Sequence, residues 1–175
     1  GGKNHMTELE EQTKYIDQQL RTSTAKWNII TCHHSVFSPA KGRDFEYARK
    51  KWKPLFDKYN VDIVLNGHDH TYARGHVPTI STNNDVENIG TMYITSVSRP
   101  KQYPLDKQQI LSYSKQGYQL DKSGEQTQFF QVITVDENEL TYVAYTALGE
   151  EYDRAIITKD FDTGQKKLWQ VKKLD

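Results

Sequence analysis

Four of the six histidines in this 175-residue chain stand in two short runs, His33-His34 and His68-Asp69-His70. Imidazole is the commonest metal ligand among side chains that titrate near neutrality, and it also carries protons. In an extended segment the i,i+2 step from His68 to His70 sends both rings to one side. The rival reading is plainer: ordinary histidines at the surface or at the rim of a core. It is the better account of either run taken alone, because short motifs match by chance. Two runs, each directly after an apolar segment, make metal binding the stronger reading.

The elements that must position these rings are legible. Residues 27–32 read as a short β-branched strand ending at His33, and 61–65 as a second ending at Asn66-Gly67-His68. Gly67 gives the backbone freedom to turn as it leaves the sheet. His33 meets the later pair if the two strands are neighbours, since open α/β sheets place their sites beyond the carboxyl ends of strands. Thr7 and Glu10 have capping-box spacing, and Leu9, Ile16 and Leu20 fall near one helical face, so 8–21 reads as a helix. A second helix is expected over 44–59, kinked or restarted at Pro54. Helix, strand, helix, strand is the pattern of a layered α/β domain. Further strands are expected at 91–96, 126–135, 140–146, 152–158 and 167–171, with turns at 136–139 and 162–164. Residues 97–125 are polar and Tyr-rich and read as a long excursion.

Composition narrows the classes. Lys plus Arg and Asp plus Glu both number 23, which gives no reason to expect nucleic acid or a membrane surface as partner. No apolar run approaches the ~20 residues that span a bilayer. Aromatics make up 11% of the chain, enough large rings to build a core despite modest hydrophobicity. Cys32 is the single cysteine, so no internal disulfide forms, and it reads as a core thiol. His5 and His76 lie in polar context and read as solvated. The chain opens on Gly1-Gly2-Lys3 without an initiator Met, which reads as the edge of something longer.

The His-x-His step also occurs in metallo-β-lactamase-like hydrolases and in cupins. The former continue to a further Asp-His where this chain has Thr71-Tyr72-Ala73, and cupins are all-β. The longer strings are more specific. Residues 27–34 resemble the Val-x-x-His block of calcineurin-like metallophosphoesterases, with Ile30 in the Val place. Residues 67–74, Gly-His-Asp-His-Thr-Tyr-Ala-Arg, resemble the Gly-His-x-His block in the form found in the purple-acid-phosphatase branch. The resemblance covers most of 8–96 and, more loosely, 126–147.

That resemblance implies an α/β layered metallophosphoesterase sandwich and a phosphate-ester substrate. It implies two divalent or trivalent metal ions (Fe, Zn or Mn) and in-line attack by a metal-bound hydroxide. By matching positions, His33 and His68 would ligate the second metal and His70 the first. His34 would stand near the phosphate, and Asp69, Tyr72 and Arg74 would support the ligands. Ser35 departs from the family, which usually has Pro there. The larger departure is that no Gly-Asp and no Asp-x-His occurs in the chain, and the Asn-His of Asn4-His5 lies too close to His33 to be the family's block. Carboxylate bridges are thus missing, and imidazoles alone leave a metal pair short of ligands.

The expectation is therefore the carboxyl-terminal half of such a domain over 1–175, inactive alone and with its metals absent or partial. The fold class expected is α/β with only one sheet and two flanking helices, whose bare inner face drives a homodimer or is covered by 97–125. The missing amino-terminal half is the implied partner. The alternative is a non-catalytic module binding one metal weakly, or none, through His33, His68 and His70. A third reading is a mononuclear three-histidine hydrolase active by itself. Nothing in the chain marks a compartment, although the resemblance implies an exported parent, periplasmic or extracellular.

Overall fold

A computed structural model describes residues 2–79 and 88–170. Strand β1 (Ile29–Cys32) pairs in parallel with β2 (Ile63–Asn66), and β2 in parallel with β4 (Asn88–Thr95). Strands β3 (Tyr72–Thr79) and β5 (Gln119–Gly124) extend that sheet antiparallel, giving the order β1-β2-β4-β3-β5. Alternation along β4 explains its place in the middle: Tyr93 faces the helices while Met92 and Ile94 face the other way.

The helical side is built from α1 (Gly2–Thr22), a π-helical turn (Ala48–Trp52) running into α2 (Lys53–Lys58), and α3 (Lys107–Ser114). Leu9, Ile16 and Leu20 of α1 join Trp52, Phe56, Val64 and Tyr93 in one core. Trp52 Nε1 donates to Thr13 Oγ1 at 2.9 Å and Tyr59 to Asp17 at 2.7 Å, which fixes α1 across the second helical segment. That segment does restart near Pro54, which sits in the first turn of α2, where its missing N–H costs nothing.

Strands β6 (Phe129–Asp136), β7 (Glu139–Thr146), β8 (Glu151–Lys159) and β9 (Lys166–Gln170) form a separate antiparallel sheet. Its inner face (Phe129, Leu140, Tyr142, Ala144, Ala155, Ile157) packs on Ile63, Tyr72, Met92 and Ile94 of the first sheet. The α/β layered architecture stands, but the expectation of a single sheet with a bare face is corrected. Period-two alternation reports that a strand has two faces and is silent about which sheet it joins. The face expected to drive a homodimer is filled from within the chain. The 97–125 segment is likewise no unstructured excursion, since it contains α3 and β5.

Two buried polar clusters tie the sheets together. Asp62, before β2, meets Lys159 Nζ at 2.9 Å and Lys166 Nζ at 3.4 Å, both from the second sheet. Arg74 grips Asp153 of β8 with Nε and Nη2 at 2.7 and 2.9 Å. Tyr72 donates to the same carboxylate at 2.6 Å and lies 3.1 Å from the Tyr142 hydroxyl.

Candidate functional site

Parallel pairing of β1 with β2 sets Cys32 opposite Asn66, so the two histidine runs leave the sheet side by side. Several bonds lace the exits. Gly67 N–H donates to the His33 carbonyl at 3.1 Å, and Ser35 Oγ to the Gly67 carbonyl at 3.2 Å. Asn66 Nδ2 donates to the carbonyls of Cys32 and His34, at 3.0 and 3.2 Å. Thr95, at the end of β4, donates to Ser35 Oγ at 3.0 Å. Cys32 packs behind this lacing, and burial pushes its thiol up to about 11, which suits the core role read for it.

The result brings three rings together. His33 Nε2 and His68 Nδ1 lie 3.1 Å apart. His34 stands 4.3 Å from the His68 ring, centroid to centroid, and 4.8 Å from Phe45. His70 turns elsewhere: its Nδ1 lies 2.9 Å from the Lys101 carbonyl and its ring 5.0 Å from Tyr103. The i,i+2 argument fails here because the segment is not extended. His68 (φ 65°) and His70 (φ 46°) both adopt the left-handed conformation, and they, not Gly67, turn the chain. Such a conformation costs of order 1–3 kcal/mol at a non-glycine residue and clusters at functional sites.

Burial lowers the His68 pKa below its ordinary value, and the positive neighbours His34 and Arg43 add to this while Asp69 opposes it. Asp69 is itself almost wholly buried, and its Oδ2 has no hydrogen-bond partner. His34, His68 and Asp69 line a cavity of about 320 Å³ together with Ser35, Gly42, Arg43, Asp44 and Phe45. Arg43 lies over the Tyr103 ring, 4.7 Å from its centroid, and donates through Nη2 to the Tyr103 hydroxyl at 3.1 Å.

Tyr72 and Arg74 face the second sheet and hold Asp153, so their bonds are structural. His76 also departs from its reading. It is buried, with Nδ1 2.8 Å from Asp121 Oδ2, and Arg74 Nη1 donates to that same oxygen at 3.1 Å. Sequence reasoning missed Asn66, Arg43 and Tyr103. Asn66 stood beside the motif and could have been found as its brace, whereas Arg43 and Tyr103 meet only through the fold.

Two imidazole nitrogens 3.1 Å apart are spaced like neighbouring ligands of one ion, for which N–metal distances are about 2.1 Å. Among the described residues, however, no three His, Cys, Asp or Glu side chains converge as a metal-holding group. The residues present do not fit a metal pair.

Residues 2–72 match the family model of the calcineurin-like phosphoesterases. A protein of Mycobacterium tuberculosis is 37% identical over 73 residues, 38% of this chain and 14% of that protein. Purple acid phosphatase 3 of Arabidopsis thaliana is 27% identical over 143 residues, 82% of this chain and 35% of that enzyme. The chain thus spans well under half the length of these relatives. A purple acid phosphatase from yellow lupin seeds shares the fold with a TM-score of 0.66 at 22% identity, over 87% of this chain and 29% of that one. With the two histidine blocks, these matches make residues 2–72 similar to the calcineurin-like phosphoesterases and give the chain a fold like that of a purple acid phosphatase.

Proposed function

We propose that this chain is the carboxyl-terminal half of a phosphoester-hydrolysing domain and supplies part of its site. The observation that supports this best is the 3.1 Å approach of His33 and His68 at neighbouring parallel strand exits, with His34 beside them over an open cavity. In this reading His33 and His68 are adjacent metal ligands, and His34 holds or moves a proton at a bound phosphate. A dinuclear centre needs bridging carboxylates arranged with the histidines, and no three such side chains converge among the described residues, so the complete site requires a second segment. The parent's substrate is a phosphate ester, and the chain alone is inactive. A parent working outside the cytoplasm belongs to the same reading.

The test is turnover of an aryl phosphate with added Mn²⁺, Zn²⁺ or Fe. The chain alone should give none. Its parent, or the chain co-expressed with a segment bearing Gly-Asp and Gly-Asn-His, should turn over and lose activity in His68→Ala. A competent parent indifferent to His68→Ala would remove the proposal. Metal binding by the chain, joined to a parent that never hydrolyses phosphate esters, would favour the non-catalytic module. That second reading has in its favour the absence of a three-ligand group among the described residues.

A further inference from the structure

One cation in the site cavity has no salt bridge, and the buried Asp69 carboxylate shares its lining without pairing with it. Arg43 forms no ion pair among the described residues, and its Nε is buried without an acceptor. The carboxylate next to it in sequence is already engaged: Asp44 accepts from Arg49 Nη2 at 2.9 Å and from the Tyr113 hydroxyl at 2.9 Å. The guanidinium is nonetheless held in place. Tyr103 lies beneath its plane and takes one N–H. Its main chain is pinned from α3, where Gln109 Nε2 reaches the carbonyls of Ser38 at 2.7 Å, Ala40 at 3.3 Å and Arg43 at 3.4 Å. A positioned guanidinium without a salt bridge, on the lining of a cavity, is what planar, multi-oxygen anion recognition requires.

We infer that Arg43, braced by Tyr103, grips the phosphoryl oxygens of the ligand in the cavity shared with His34 and His68. This rests on the phosphoesterase reading and adds to it a fixed positive charge that needs no metal. The same brace reaches the histidine run. Tyr103 N–H donates to the His70 carbonyl at 3.1 Å, so one residue sets both the cation and the loop that carries His70. Arg43 is a binding residue here and Tyr103 a positioning residue.

The probe is inorganic phosphate titrated into the 175-residue chain without metal, followed by the ring signals of His34 and His68 in nuclear magnetic resonance spectra. Phosphate should move those signals. Arg43→Ala should weaken its binding about tenfold and flatten its salt dependence, and Arg43→Lys should recover only part, because a point charge lacks the fork. Added guanidinium ion should partly rescue Arg43→Ala, a response that lost packing would not show. Tyr103→Phe, which keeps the ring and removes the hydroxyl, should weaken binding by about two- to fivefold. Equal binding in wild type and Arg43→Ala would overturn the inference and leave the phosphoesterase reading standing. No shift at high millimolar phosphate would also overturn it, while activity of the parent remains the separate measure of that reading.

Discussion

Asp153 accepts three hydrogen bonds from two buried residues, and the Arg74 charge between the sheets is paired by it and by Asp121. Removing one partner of a buried pair leaves the other charge uncompensated, a loss of about 3–5 kcal/mol. Asp153→Ala should therefore cost toward the low end of that range in urea unfolding, since Asp121 still faces Arg74. An Asp153→Ala protein within about 1 kcal/mol of wild type would show that the latch is loose. The string containing Tyr72 and Arg74 was visible in the sequence, but their work was not. Their partner lies about 80 positions along the chain, and nothing local to either end marks the meeting. The histidines were legible for the opposite reason, since each run sits at the end of its own strand.

At the scale of elements, Gly75 of β3 lies against β5 with no room for a side chain. A Cβ there would stand 2.4 Å from the Gln119 carbonyl and from the Tyr118 ring. Neither neighbour can yield easily, because the first is backbone and the second is stacked on Phe37 at 4.3 Å. Gly75→Ala should push β5 off the sheet edge and speed amide exchange along Gln119–Gly124, with β6–β9 unaffected. Unchanged protection of β5 would mean the edge adapts. These two strands were also the ones the sequence hid. β3 carries Arg74, Gly75, His76 and Pro78, a run without apolar alternation whose burial depends on the acids Asp121 and Asp153. The strands that alternate cleanly, β4 and β6–β8, were legible; their assignment to two sheets was not.

For the whole molecule, the Asp62–Lys159–Lys166 cluster makes sheet-to-sheet packing sensitive to pH. Burial lowers the Lys166 pKa from 10.5 to about 8, against the opposing pull of Asp62. Between those values the unfolded chain holds a proton that the folded chain has released, so this lysine adds stability as pH rises through the window. Below about pH 8 both states are protonated and its contribution is flat. Thermal midpoints of wild type and Lys166→Met, compared at about pH 7.5 and about pH 9.5, should show the wild type gaining on the variant at the higher pH. A constant gap between the two would exclude the effect. Lys166 also donates to the Val61 carbonyl at 2.7 Å, so the variant loses a main-chain anchor at both pH values alike.

The left-handed backbone at His68 and His70 sets stability and chemistry against each other within one loop. Glycine or asparagine would sit more easily at both positions, so a library of this chain screened only for heat resistance would drift away from histidine there. Under the proposed function, a library of the parent screened for phosphate hydrolysis would keep histidine there and seek its stability elsewhere. Two lineages started from this one sequence would thus part first at these two positions, and the direction of parting would reveal which demand had ruled each.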